Sequence, residues 1–270
     1  MDLRPHAARW PFTLEKWYLD ALTDDGAVLL VYDARLCAFG LSRGRVTAEL
    51  FRPSCPVVRG DAPTTRWTGG EDWLDAGTAS IDGGSIRFEL AGLSGRLALT
   101  PRHPPACLGD PLLARADRCL GWTVEIPDAD ARGEVRWPGG ELLIEGRGYR
   151  DRVWFDLLPW RFPIRELAWG RVAAGPHAST WVLAITDQGE VSAGWADGKV
   201  VAARAAMPPS LHGRRVLVDG AVADLPGLHL GPLRPLLRRM TGDPHEVKWA
   251  AGAIVAGQAG LAIDERVRWS

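Results

Sequence analysis

The sequence predicts an all-β fold made of two antiparallel, barrel-like halves. Short alternating or β-branched segments recur along the 270 residues, and long helical patterns are scarce. Turn signals separate these segments: Asp24-Asp25-Gly26, Asp82-Gly83-Gly84, Pro138-Gly139-Gly140, Asp187-Gln188-Gly189 and Asp197-Gly198. Such dipeptides between apolar segments are typical of β-hairpins. About sixteen strands exceed the roughly eight of a small closed barrel, so two halves fit better.

The predicted elements follow the turn signals in order along the chain. The strands span residues 15–22, 26–33, 46–52, 85–91, 94–100, 121–127, 131–137, 140–145, 148–155, 165–173, 178–186, 189–195, 198–204, 214–218, 247–256 and 260–269. One short helix is predicted from Arg234 to Met240, because Pro235 suits a first helical turn and Gly242 ends one. Residues 101–118 contain four prolines and are predicted to form an irregular connection or a lid.

The domain boundary is predicted at Pro138-Gly139-Gly140. It divides the chain into an N-terminal β domain, 1–137, and a C-terminal β domain, 138–270. Ligand sites favour barrel mouths and domain interfaces, so we expect a shared cavity near this boundary.

Composition excludes several classes of function. The net charge of −1 provides no field that attracts nucleic acid or an acidic membrane surface, and no phosphate-binding glycine loop occurs. The cysteines and histidines show no metal-ligand spacing, so neither a metal nor another cofactor is expected. The N-terminus is charged and lacks an apolar segment, and the weakly polar stretch Trp249–Ile263 is diluted by Gly and Gln. We therefore expect a cytoplasmic protein with free thiols and no stable membrane insertion, whose oligomeric state the sequence leaves open.

Tryptophan is the outlier in the composition, with 13 residues against 3 Tyr and 6 Phe. One interpretation is structural, since indole rings fill barrel cores. The other is an aromatic-lined pocket for a large apolar ligand, in which the rings would also stabilise a carbocation.

The segment Glu145–Trp154 carries the candidate chemistry. Tyr149 and Asp151 lie two residues apart, so on a strand their side chains share one face. In an apolar cavity the Asp would favour its protonated form and could deliver a proton, with the Tyr assisting. Arg147 has the same parity and would hold the Asp ionised, unless the chain turns or bulges at Gly146 or Gly148. The alternative is a glycine-rich hairpin turn with a surface Asp.

A second candidate pair lies on the first strand. Trp17 and Tyr18 are adjacent, so only one of them can face a cavity. Asp20 shares the face of Tyr18 and forms either a second polar cluster with it or a turn cap, which we favour slightly.

Three segments resemble the carotenoid 1,2-hydratase (hydroxyneurosporene synthase) family and its AttH-like relatives. They are Glu15–Ala21 (EKWYLDA) with Asp24-Asp25-Gly26, Trp122–Pro127 (WTVEIP) with Gly133, and Gly146–Asp151 (GRGYRD) with Trp169-Gly170-Arg171. The resemblance implies a two-domain lipocalin-like (calycin) fold and acid-initiated chemistry: protonation of a terminal C=C of an isoprenoid, then capture of the cation by water. Tyr149 and Asp151 fall on the family's catalytic Tyr and Asp. Tocopherol cyclase and several fungal Diels–Alderases are similar in fold.

The chain departs from the family pattern after Asp151 and shortly before Trp122. Val153 and Phe155 replace an Asn and a frequent Gly, and Cys119-Leu120-Gly121 stands where the family has a His. These changes predict a more apolar pocket that supplies water less readily.

The leading functional hypothesis is a proton-initiated hydratase, cyclase or isomerase that acts on a large apolar polyene, terpenoid or polyketide. Asp151 is the predicted general acid and Tyr149 its assistant. The predicted substrate-binding residues are Trp17, Tyr18, Trp122, Trp154 and Trp169. The alternatives are a pericyclase of the same fold, which only folds a polyene into a reactive conformer, and a non-catalytic carrier of apolar ligands.

Overall fold

The described part of the chain is almost entirely antiparallel β-structure. A computed structural model describes residues 2–222 and 243–269. These residues fold into two compact units, one formed by Met1–Pro104 and Asp128–Asp156, the other by Pro105–Pro127 and Leu157–Ser270. The predicted helix Arg234–Met240 lies outside the described residues.

The first sheet contains twelve strands. They are β1 (Phe12–Thr23), β2 (Val28–Ala38), β3 (Leu41–Phe51), β4 (Val58–Thr64), β5 (Thr68–Gly69), β6 (Trp73–Asp75), β7 (Ala79–Asp82), β8 (Ser85–Leu90), β9 (Leu93–Pro101), β10 (Ala106–Arg115), β11 (Arg118–Trp137) and β12 (Gly140–Phe155). Their order is β4-β3-β2-β1-β12-β11-β9-β8-β7-β6-β5, and β10 pairs with β11. The sheet curls back on itself, because an isolated bridge joins Asp61 of β4 to Ala91 in the turn after β8.

The second sheet contains seven strands within the described residues. They are β13 (Ile164–Ala174), β14 (His177–Thr186), β15 (Gly189–Ala196), β16 (Lys199–Val201), β17 (Leu211–Ala221), β18 (His245–Val255) and β19 (Gln258–Arg268). Their order is β16-β15-β14-β13-β19-β18-β17. A 3₁₀ turn, Pro159–Arg161, precedes this sheet, and a four-residue helix, α1 (Ala203–Ala206), follows β16.

Helix α1 belongs to the core of the second unit. Ala203 and Ala206 pack in one buried cluster with Trp181, and the Ser179 hydroxyl donates to the Ala206 carbonyl over 2.6 Å. Gly194 permits this contact, since a Cβ there would lie 2.9 Å from the Ala206 side chain. The strand predicted at 198–204 is therefore too long, because the chain leaves the sheet after Val201.

Two pairs of predicted strands are in fact single long strands. The strands predicted at 121–127 and 131–137 are both part of β11, and those at 140–145 and 148–155 are both part of β12. In β12 the glycines between the predicted strands do not end the strand. A Cβ on Gly148 would lie 2.5 Å from Leu99 and 3.1 Å from Ala131, so glycine serves close packing there rather than a turn.

The prediction of an irregular segment at 101–118 is wrong, because β10 occupies most of it. Its pairing with β11 shifts register between Gly109 and Leu113, which is where Pro111 falls. A proline cannot donate to a β-ladder, so strands tolerate it at such irregularities.

The predicted boundary at 137/138 does not coincide with the two compact units. Residues 138–140 lie at the turn between β11 and β12, inside the first unit. Strand β11 passes from one unit to the other, since residues 118–127 belong to the second unit and 128–137 to the first.

Candidate functional site

Two Tyr–Asp pairs face each other across β1 and β12. Tyr18 lies opposite Asp151 in the ladder, and Asp20 lies opposite Tyr149. The Tyr149 hydroxyl donates to Asp151 Oδ2 over 2.9 Å, and the Tyr18 hydroxyl donates to Asp20 Oδ2 over 2.9 Å. All four side chains are buried. Residues opposite each other in an antiparallel ladder share a face, so the two pairs form one cluster of two phenols and two carboxyls.

An uninterrupted ladder positions this acid–phenol cluster. The pairing of β1 with β12 runs from Leu14–Phe155 to Thr23–Gly146 without a register shift. Side chains two residues apart on a strand point the same way, which brings each Tyr beside its Asp. The favoured interpretation of Asp20 as a turn cap is wrong, since its carboxylate accepts the Tyr18 hydroxyl inside the sheet.

The third tyrosine of the chain, Tyr32, packs against this cluster. The Tyr18 ring centroid is 5.2 Å from that of Tyr32 on β2 and 6.1 Å from that of Tyr149. Lys16 extends over the same rings, with Nζ 4.9 Å from the Tyr32 centroid and 5.9 Å from that of Tyr18. The quadrupoles of these rings therefore already attract a cation.

Arg147 stays on the face of Asp151, as its parity predicts, because no bulge occurs at Gly146 or Gly148. Its guanidinium binds another carboxylate: Nε donates to Asp128 Oδ1 over 2.9 Å, and Asp128 is fully buried. The predicted bulge is therefore absent, and Arg147 forms an ion pair with Asp128 on β11.

Arg150 and Arg152 point to the opposite face, as predicted. Arg150 donates to the Gly83 carbonyl over 2.7 Å, and Arg152 Nε donates to Glu15 Oε1 over 2.8 Å. Burial raises the pKa of Glu15, but hydrogen bonds from His6 and Arg152 outweigh it and leave that pKa below its usual value.

The four tryptophans among the predicted site residues occupy two places. Trp17 and Trp154 lie on the sheet face opposite the acid–phenol cluster, where Arg152 covers the Trp17 ring and His6 stacks on Trp154 at 4.3 Å. The alternation of side chains along β1 and β12 therefore separates these two indoles from Asp151. Trp122 and Trp169 belong to the second unit, where they stack at 6.2 Å and 14°.

A second buried polar cluster, which sequence reasoning missed, lies in the second unit. Lys248 on β18 is fully buried, with Nζ 2.6 Å from Glu265 Oε2 and 3.5 Å from Glu246 Oε1. The Trp169 ring centroid is 5.9 Å from the same Nζ. The Glu-x-Lys spacing on one strand was the available signal, but the partner on β19 required the fold.

Solved structures match nearly the whole chain. An AttH-like protein from Nitrosomonas europaea is 14% identical, with a TM-score of 0.59 and 99% of each chain covered. CghA, solved with Sch210972, is 17% identical with a TM-score of 0.57, over 96% of this chain and 89% of that one. Kievitone hydratase from Nectria haematococca is 9% identical with a TM-score of 0.51, over 95% and 89%. The chain shares their lipocalin-like fold.

No family model matches the chain, and no curated protein matches it significantly. The predicted all-β, two-part lipocalin-like fold is confirmed, and the AttH-like part of the resemblance holds at the level of fold. The narrower resemblance to carotenoid 1,2-hydratases stays a prediction.

Residues 2–222 and 243–269 hold no group of three or more His, Cys, Asp or Glu side chains that could bind a metal ion. No helix of this part of the chain is long and apolar enough to cross a membrane.

The acid–phenol cluster has the groups that proton transfer to an alkene needs. A buried carboxyl favours its protonated form, and a phenol hydrogen-bonded to one oxygen orients it. The Tyr149 hydroxyl donates to Oδ2 of Asp151 and so holds the carboxyl in one orientation. The neighbouring phenol rings would face a cation that forms beside them.

Proposed function

We propose that this protein is an enzyme that protonates a carbon–carbon double bond in a large apolar polyene, terpenoid or polyketide. Asp151 is the general acid and Tyr149 its positioning partner. The outcome is hydration, cyclisation or isomerisation of the substrate. The observation that carries the proposal is the 2.9 Å hydrogen bond between the two buried side chains.

The proposed reaction begins with transfer of a proton from Asp151 to the terminal carbon of the alkene. The π electrons form the new C–H bond and leave a cation on the more substituted carbon. Tyr18, Tyr32 and Tyr149 stabilise this cation with their ring faces. In a hydratase, water adds to the cation, and the oxonium that forms gives one proton back to the Asp151 carboxylate. In a cyclase an internal double bond attacks the cation, and in an isomerase no bond to a nucleophile forms. In both of these cases the Asp151 carboxylate then removes a proton from a carbon next to the cation.

Asp20 supports the assignment because it places a second carboxyl on the same face. Both carboxyls are buried, and each accepts a phenol hydroxyl.

The similar structures support catalysis on an organic substrate. One of them is a hydratase by name, and another was solved with a bound compound, Sch210972. Their identity to this chain is low, so the substrate is proposed from the site alone. Three phenols and a pair of carboxyls suit a molecule that is apolar along its length and reacts through a cation.

The second candidate is a pericyclase or a carrier of the same fold. The observation that favours it is the depth of burial of Asp151, which is 1% exposed. In that case the Tyr149–Asp151 hydrogen bond is structural. A pericyclase would accelerate the reaction by holding the substrate in a reactive conformation, and a carrier would only bind it.

Asp151→Asn tests the proposal. The amide keeps the size and the hydrogen bond to Tyr149 but cannot deliver a proton, so kcat should fall by at least about 10³-fold while KM stays nearly unchanged. Asp130→Asn is the matched control, because that carboxyl is half-exposed and pairs with Arg102 in the same unit. A panel of isoprenoids, polyenes and polyketides with mass detection supplies the assay. Turnover by Asp151→Asn at the rate of the control would end the acid assignment.

A further inference from the structure

Lys16 lies on the same face of β1 as the acid–phenol cluster. It precedes Tyr18 by two residues, so the two side chains point the same way. Its Nζ lies 4.9 Å from the ring centroid of Tyr32 and 5.9 Å from that of Tyr18. Among the described residues, Lys16 forms no ion pair and no hydrogen bond. An ammonium group has three N–H donors, so this half-buried cation lacks acceptors from the protein.

Thr47 adds a second unsatisfied group to this face. It lies opposite Tyr32 in the ladder between β2 and β3, and Tyr18 lies opposite Tyr32 in the ladder between β1 and β2. Thr47 is 1% exposed, and within residues 2–222 and 243–269 its hydroxyl oxygen has no hydrogen-bond partner. A buried hydroxyl without a partner costs free energy that a bound ligand can recover. Because Lys16 Nζ lies over the Tyr32 ring, the ammonium group extends toward the strand that carries Thr47.

Arg45 supplies a third donor, next to Ala34. Ala34 lies opposite Lys16 on one side and opposite Arg45 on the other, and its side chain is a single methyl group. Arg45 pairs with Asp61, yet its buried Nε has no hydrogen-bond partner in the described part of the chain. Thr47 follows two residues after Arg45 and faces the same way. Lys16 and Arg45 are both partly exposed, so a ligand can reach the surface above Ala34 from solvent.

The charge balance of this face suits a ligand with one negative charge. Four carboxylates here already have donors, in the pairs Asp61–Arg45, Glu49–Arg59, Asp20–Tyr18 and Asp151–Tyr149. The charge of Lys16 is not used in these pairs. A carboxylate brings one negative charge and two oxygens that accept hydrogen bonds from several donors. A phosphate dianion or a diphosphate would need a second unpaired cation, and Arg45 is already neutralised by Asp61.

We propose that Lys16 binds a carboxylate at one end of the substrate, above Ala34, with the Thr47 hydroxyl and the Arg45 Nε as further donors. The substrate is then an apolar acid rather than a hydrocarbon or an alcohol. This inference rests on the proposed function, because the carboxylate site and Asp151 hold two parts of one molecule. The binding of an acid at Lys16 can nevertheless be measured without turnover.

The sheet sets the distance between the carboxylate site and the proposed acid. Asp151 lies on β12 and Ala34 on β2, with β1 between them. Two strand spacings amount to about 10 Å. The rings of Tyr18 and Tyr32 lie along this path, and they suit an apolar chain. The reacting double bond is therefore expected several carbon atoms away from the carboxylate.

Fluorescence titration of the full chain with cis-parinaric acid tests the site. This probe is a fluorescent polyene with a terminal carboxylate, and its methyl ester is the uncharged reference. The wild-type protein should bind the acid at least about tenfold more tightly than the ester, because the ester has no charge that pairs with Lys16. Lys16→Met should abolish this preference, and Lys16→Arg should retain it. Lys199→Met is the matched control, because Lys199 is an exposed lysine of the second unit, and the preference should be unchanged.

The Thr47 hydroxyl is tested with the same two probes. Thr47→Val keeps the shape of the side chain and removes the donor. It should lower the affinity for the acid about 2- to 10-fold, as expected for one hydrogen bond, and leave the affinity for the ester unchanged. An equal effect on both probes would show that Thr47 does not contact the carboxylate.

Asp151→Asn separates this proposal from the proposed function. It should prefer the acid over the ester as the wild type does. Turnover by Asp151→Asn, together with loss of the preference in Lys16→Met, would end the acid assignment and support the carboxylate site. Equal affinity of the wild type for acid and ester, or no saturable binding of either, would overturn the carboxylate site, and so would a preference that persists in Lys16→Met. The wild-type comparison needs no variant, so it decides even if Lys16→Met fails to fold.

Discussion

Tyr18 lies directly opposite Asp151 in the ladder between β1 and β12, although Asp151 follows 133 positions later in the sequence. The same ladder places Asp20 opposite Tyr149. The Tyr–Asp pairs of the two strands therefore run antiparallel, and each Tyr lies across from the Asp of the other strand. The arrangement depends on register alone. A shift of one residue would turn one pair to the opposite face of the sheet.

The two tyrosines should differ in their effect on catalysis. Tyr149 donates to Asp151, whereas Tyr18 donates to Asp20. We expect Tyr149→Phe to lower kcat about 10- to 100-fold, because one hydrogen bond that orients the acid is lost. Tyr18→Phe retains the ring and should lower kcat less than tenfold. Steady-state kinetics of both variants measures this, and an equal loss in the two would mean that the pairs act as one unit.

The raised pKa of Asp33, which burial causes, should be visible in the pH dependence of the free energy of unfolding. Its pKa is about 7 in the folded protein and close to 3.8 in the unfolded chain, so the folded state binds more protons between these values. The free energy of unfolding therefore falls as pH rises from about 4 to 7, by up to about 1.4 kcal/mol per pH unit from this group. Asp33→Asn keeps an acceptor for the indole N–H of Trp67. Its free energy of unfolding should lack this contribution to the pH dependence.

Urea unfolding of the wild type and Asp33→Asn at several pH values measures the difference. The variant should gain stability relative to the wild type by a few kcal/mol between pH 4 and 7, with no further gain above pH 8. A constant difference across this range would show that Asp33 is ionised throughout.

Gly148 is expected to be a packing requirement. A methyl group there would lie 2.5 Å from Leu99 Cδ2 and 3.1 Å from the Ala131 Cβ, so Gly148→Ala should destabilise the protein by about 1–3 kcal/mol. Gly220→Ala is the control, because a Cβ at Gly220 meets nothing within 4 Å. Chemical denaturation of both variants tests this, and equal stability would rule out a packing role for Gly148.

The buried Lys248 should depend on its acidic partners. Lys248→Met removes the cation that lies 2.6 Å from the buried Glu265 carboxylate, which should cost about 3–5 kcal/mol of stability. Adding Glu265→Gln to Lys248→Met should restore part of this loss, because the buried negative charge is removed as well. A double-mutant cycle measures the coupling, and additive losses would contradict a direct interaction.

Much of the fold could be predicted from the sequence, because hairpin signals are local. Turns such as Asp24-Asp25-Gly26 and Asp187-Gln188-Gly189 stand between β1 and β2 and between β14 and β15, as their composition indicates. The long β11 and β12 could not be predicted. Gly148 serves close packing to Leu99, and the effect of a glycine on packing is visible only with the neighbouring strand in place.

The candidate site was predictable in part for the same reason. The shared face of Tyr149 and Asp151 follows from their spacing, and so does the separation of Arg150 and Arg152. The pairing of Arg147 with Asp128 and of Tyr18 with Asp151 depends on which strands become neighbours. The indole count suggested an aromatic pocket, yet the structure surrounds the acid with tyrosines on its own sheet and places Trp17 on the other face.

Solvent deuterium incorporation tests the central claim most directly. The wild-type enzyme is run in D₂O with each substrate that it converts, and the product is analysed by mass spectrometry and NMR. A carboxyl such as Asp151 exchanges its proton with solvent, so the account predicts one non-exchangeable deuterium at the terminal alkene carbon, and no product from Asp151→Asn. A product that carries no carbon-bound deuterium, formed equally well by Asp151→Asn, would contradict it.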